Sequence, residues 1–157
     1  MRKQNGFSLI ELLIVVAIIL IIAAIAVPNM LHSRIAANEA SAVSSTRTIL
    51  SAEFSYYQTF GGGTDYAQSL TALGPGNGNL IDSGLASGSK SGYAIALTAS
   101  QVNGTYFNEF MVSATPLSAG LSGTRSFCAV EDGALRADTT GGTFASHDAC
   151  TLAGILQ

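Results

Sequence analysis

Few residues in this 157-residue sequence have the types and spacing for chemistry. Cys128, His147 and Cys150 offer two thiolates and an imidazole, the donor types of a zinc site, but a fourth ligand of normal spacing is missing. With the domain outside the cytoplasm, an even pair of cysteines invites a disulfide instead. Gly74-Pro75-Gly76-Asn77-Gly78 has the glycine density of a phosphate-cradling loop. It follows no strand signal and carries no Lys, so it reads as loop punctuation. Asn103-Gly104-Thr105 fits a glycosylation sequon, yet Asn-Gly is equally a hairpin turn pair. No Ser/His/Asp arrangement or carboxylate pair stands out, and His32 and His147 stand alone in the sequence. The expectation is a protein with no catalytic residue, no cofactor and no metal. That leaves Glu11, an acid in an unusual place.

Glu11 is the only charge in residues 7–27, a nearly unbroken apolar run that Arg2, Lys3 and Gly6 precede. As a helix such a run reaches about 30 Å, the thickness of a bilayer's hydrocarbon core. A carboxylate within it is unfavourable by a few kcal/mol, roughly, so it needs a reason. Arg2 and Lys3 flank one end of the run and only Arg34 lies near the other, which predicts the leader in the cytoplasm and the remaining chain outside. A secretory signal fits poorly, because the candidate scissile bond, Gly6-Phe7, comes before the apolar segment rather than after it.

Charged residues make up only 11% of the chain, a composition suited to a subunit packed against neighbours. Its formal net charge is −3, and beyond the leader no Lys/Arg cluster exists, which argues against a nucleic-acid site. The length allows one globular domain after the apolar segment.

The string Gly6-Phe7-Ser8-Leu9-Ile10-Glu11-Leu12-Leu13-Ile14-Val15-Val16-Ala17-Ile18-Ile19 resembles the N-terminus of type IV prepilins and of type II secretion pseudopilins. The resemblance covers the leader and roughly the first 25 residues. It implies that a prepilin peptidase cuts between Gly6 and Phe7 and methylates the new N-terminus, that Glu11 is required for assembly, and that Pro28 bends the helix. It further implies a homopolymer as partner, with an assembly platform and a secretin, and residence in the inner membrane before export. The function implied is that of a major pilin in an extracellular pilus; the alternative is the major pseudopilin of a periplasmic pseudopilus. A calcium site like that pseudopilin's would draw on Asp132, Asp138 and Asp148, although no dense oxygen-ligand loop is visible. Physical logic runs parallel to the resemblance. Cleavage would remove two positive charges and set an amine on an apolar helix, one turn from Glu11. Between stacked subunits such a pair would set axial register, because an unpaired buried charge is strongly unfavourable.

The elements that would position these residues follow from pattern. Helical signal resumes after Pro28, with Leu31, Ile35, Ala42, Ile49, Ala52 and Tyr56 on one stripe and Arg34, Glu39, Arg47 and Glu53 mostly off it. Phe54, Tyr56, Tyr57 and Phe60 are read as core or interface contacts, and Gly61-Gly62-Gly63 stops the helix. A short helix is expected around 66–73, then strands at 93–97, 106–115, 125–130 and 134–137. Cys128 and Cys150 would tie the C-terminus, residues 139–157, to the third strand. The predicted fold is α+β: a leader at 1–6, a transmembrane or filament-core segment at 7–28, an amphipathic half-helix at 29–60, and a head at 61–157 with a four-stranded antiparallel sheet, type IV pilin-like.

Overall fold

A computed structural model describes residues 6–101 and 104–156. Most of the leader and Asn103, half of the expected Asn-Gly turn, lie outside the described residues. Helix α1 spans Leu9–Thr59, 51 residues with Pro28 inside it. The chain divides into two compact units, Met1–Arg34 and Ile35–Gln157.

In the first unit the apolar side chains are exposed: Phe7 and Leu9 at 80%, and Leu12, Leu13, Ile18 and Ile22 all above half. This part of α1 is long and apolar enough to cross a membrane.

In the second unit the rest of α1 packs on an antiparallel sheet. Its strands are β1 (Ser89–Lys90), β2 (Tyr93–Ser100), β3 (Glu109–Pro116), β4 (Ser126–Val130), β5 (Leu135–Asp138) and β6 (Gly154–Ile155), joined in sequence order. The sheet therefore has six strands rather than the expected four. The four expected are β2 to β5; β1 and β6 are two-residue edges, too short to leave a periodic signal. Alternation is clean on β2, where Tyr93, Ile95 and Leu97 point inward. They meet Ala42, Ile49 and Ala52 of α1 together with Phe110, Val112, Ala114 and Phe127.

Strand β4 is buried on both faces. Its outward residues, Cys128 and Val130, stand opposite Ser113 and Met111 of β3. They form a second small core with Cys150 and Phe144. Its cover is helix α4 (His147–Thr151), whose N-cap Ser146 accepts from the Ala149 N–H. Two more short helices occupy the long connection, α2 (Leu70–Leu73) capped by Ser69 and α3 (Ser83–Ala86) capped by Asp82. Of these, only α2 overlaps a helix that the sequence pattern predicts.

The buried stripe of α1 holds Ile35, Ala42, Ile49 and Ala52 as expected, but also Glu39, Ser45, Thr46 and Glu53. Glu39 and Glu53, expected mostly off the stripe, lie on it instead, and both carboxylates are buried because loop donors from outside the helix satisfy them. Leu31, expected on the stripe, is 37% exposed.

Candidate functional site

The N-terminal segment is built around a helix start. Gly6, Phe7 and Ser8 are non-helical and exposed, and α1 begins at Leu9. A Cβ added at Gly6 meets nothing within 4 Å among the described residues, so none of them requires glycine there.

Ser8 caps the helix: its carbonyl accepts from the Glu11 and Leu12 N–H groups. Glu11 reaches back, Oε2 accepting from the Ser8 N–H at 2.9 Å. This is the return half of a capping box, in which an acid at the third helical position satisfies an orphan donor and faces the positive end of the helix dipole. The Ser8-x-x-Glu11 spacing is the sequence signature of this box, in addition to the amine pairing expected for Glu11. Pro28 lies mid-helix and its missing N–H leaves the Ala24 carbonyl without its usual helical donor.

In the head, α1 carries two acids that hold loops. Glu39 Oε1 accepts from the Thr124 N–H at 2.9 Å, the Thr124 hydroxyl at 2.7 Å and the Arg125 N–H at 3.1 Å. Its Oε2 takes Arg125 Nε and Nη2, each at 2.8 Å. Burial alone would raise the Glu39 pKa; these donors outweigh it and hold the carboxyl at about 2. Neighbouring Asn38 donates to the Ser122 carbonyl at 2.9 Å, so the β3–β4 loop is gripped at consecutive helix positions.

Glu53 is fully buried with a single donor, the Ala67 N–H at 2.9 Å from Oε2, while Oε1 has no hydrogen-bond partner. Burial pushes its pKa up to about 7, against the smaller lowering effect of the Ala67 hydrogen bond. The aromatic rings beside it pack as core. Tyr57 stacks on Tyr66 at 4.7 Å between centroids, and Tyr66 and Phe54 both rest on Phe110.

Cys128 of β4 and Cys150 of α4 are joined as a disulfide, with Cα atoms 6.0 Å apart. The expected pairing is therefore present, and it removes both sulfurs from any metal site. The acids Asp132, Asp138 and Asp148 do not converge on a common point. Asp132 pairs with Arg136, Asp138 takes the Thr140 N–H and hydroxyl, and Asp148 is a neighbour of His147. His147 instead meets Glu131, with Nε2 2.9 Å from both carboxylate oxygens. Burial would lower the imidazole pKa, but the hydrogen bond and charge of Glu131 win and raise it.

The protein-family comparison decides what the exposed N-terminal segment is. Residues 1–27 match the family model for the prokaryotic N-terminal methylation motif. That segment carries a prokaryotic N-terminal methylation motif. Among characterised proteins, the chain is 59% identical over 39 residues to the type IV wide pilus major component PilA4 of Thermus thermophilus, covering 25% of this chain and 30% of that protein. It is 35% identical over 77 residues to the type IV major pilin protein PilA of Myxococcus xanthus, covering 49% of this chain and 34% of that protein. The chain thus spans about a third of the length of these relatives. No solved structure matches it.

Proposed function

We propose that this pilin-like chain is the major structural subunit of a type IV pilus and not an enzyme. Its leader is removed between Gly6 and Phe7, Phe7 is methylated, and the subunits polymerise through residues 7–28 into an extracellular fibre. Before assembly the apolar helix anchors the chain in the inner membrane with its N-terminus in the cytoplasm. Its partners are other copies of itself, the prepilin peptidase and methyltransferase, and the assembly platform and secretin.

One observation carries this reading. An exposed, non-helical Gly6–Phe7 bond stands directly before a helix whose apolar side chains are themselves exposed. Exposed apolar surface of that extent requires a cover, and lipid before processing and neighbouring helices afterwards both provide one. The relatives named as pilus major component and major pilin support the fibre over a periplasmic pseudopilus.

The test is Gly6→Ala, a change that the fold tolerates because the added methyl meets nothing. Sheared cell-surface fibres from the parent strain should contain this protein beginning at methylated Phe7, by mass spectrometry. The variant should accumulate unprocessed in the membrane, with fibres lost. Fibres containing unprocessed Gly6→Ala protein would overturn the proposal. A defect in protein secretion without loss of surface fibres would select the pseudopilus.

A further inference from the structure

The geometry points to a binding site for a borderline divalent cation of the zinc class, formed by Glu109, Glu131 and His147. Glu109 opens β3, Glu131 directly follows β4, and His147 opens α4. One ligand atom from each lies within 4.8 Å of the others, and all three residues are half-buried. The site is separate from the N-terminal segment and does not rest on the pilus reading.

A second relationship bears on which atoms would ligate. His147 Nε2 is 2.9 Å from both oxygens of Glu131, so a nitrogen faces two acceptors. With the proton on Nε2 the contact is a hydrogen bond; with the proton on Nδ1 the same nitrogen and both oxygens turn lone pairs towards one point, where a metal ion can sit. On the other side of the ring, Asp148 Oδ1 is 3.7 Å from Nδ1. A carboxylate there favours the proton on Nδ1, which frees the Nε2 lone pair to ligate. Metal-bound histidines are commonly oriented in this way.

The donor set selects the ion. One imidazole and two carboxylates suit zinc and its neighbours, whereas calcium takes oxygen ligands alone. Three protein ligands leave a fourth position for water. The disulfide supplies the rigidity, since Cys128 lies three residues before Glu131 and Cys150 three after His147. Bound metal would tie β3, β4 and α4 together at the edge of the second core.

The experiment titrates the metal-stripped full chain in detergent micelles with zinc chloride, followed by calorimetry. One equivalent should bind per chain. His147→Gln and Glu131→Gln should each weaken binding at least tenfold, and His32→Gln should leave it unchanged. Glu109→Gln is the variant that spares the fold, since among the described residues its side chain takes a long 3.4 Å hydrogen bond from Ser100, which Gln can also accept. It should weaken binding several-fold with an unaltered near-UV circular dichroism spectrum. Absence of saturable binding, binding that survives all three ligand variants, or an equal loss on His32→Gln would overturn the assignment.

Discussion

Glu39 and Arg125, 86 residues apart in sequence, meet as a fork in which Nε and Nη2 both reach Oε2 at 2.8 Å. The pair closes the β3–β4 loop onto α1, and backbone donors from Thr124 and Arg125 complete the shell. Glu39→Gln should cost about 3 kcal/mol, because a buried partner of a charge pair is removed while its donors remain. Urea unfolding of the full chain in micelles, followed by near-UV circular dichroism, checks it.

The same carboxylate sets an acid limit. Its pKa is about 2 when folded against 4.5 in the unfolded chain. Its contribution is complete above pH 4.5 and is lost as pH falls towards 2, a change of about 3 kcal/mol. Acid titration should show the parent losing stability across that window, with a flatter profile for Glu39→Gln.

Glu53 works in the opposite direction. Its folded pKa is raised to about 7, so the folded state holds a proton that the unfolded state releases above 4.5. Stability therefore falls as pH rises from 4.5 to 7 and levels off above, again by about 3 kcal/mol. Denaturation midpoints at pH 5 and pH 8 should differ in the parent and differ less in Glu53→Gln, where the raised His147 leaves a smaller dependence of the same sign. Equal midpoints in the parent would show that Glu53 does not titrate in that window.

Reducing the Cys128–Cys150 bond, or replacing both cysteines with serine, should cost about 3 kcal/mol in the chain-entropy account of a loop with sequence separation 22. Because α4 covers the second core, loss of the bond should also expose 139–156 to protease before the rest of the head. A timed digest with mass mapping measures this.

Glu11 has a local partner in Ser8, so two substitutions separate capping from charge. Glu11→Gln keeps an acceptor for the Ser8 N–H and removes the charge; Glu11→Val removes both. Both should insert in the membrane and both should assemble poorly if the charge sets register between subunits. Wild-type fibre yield from Glu11→Gln alone would reduce Glu11 to a helix cap.

The misplacement of Glu39 and Glu53 shows how a real periodicity can be read too narrowly. Positions 35, 39, 42, 46, 49, 53 and 56 advance by alternating four and three residues, one continuous face of a helix. Counting only its apolar members left out Glu39, Thr46 and Glu53, all buried. Nothing in local sequence marks an acid as buried, because the donors that make burial tolerable come from Thr124, Arg125 and Ala67. In the same way, β1, β6, α3 and α4 are too short for periodicity to reveal them.

What the sequence determined by itself was everything expressed in consecutive residues: the glycine before Phe7, the apolar length, the lone Glu11 and the long helix. The two cysteines could also be paired from sequence, because there was no third to compete. Only the tertiary structure decided which acids are buried and paired, where α4 seats, and that His147 faces Glu131 rather than the cysteines. Those outcomes depend on contacts between residues 14 to 86 positions apart, whose partners no local pattern encodes.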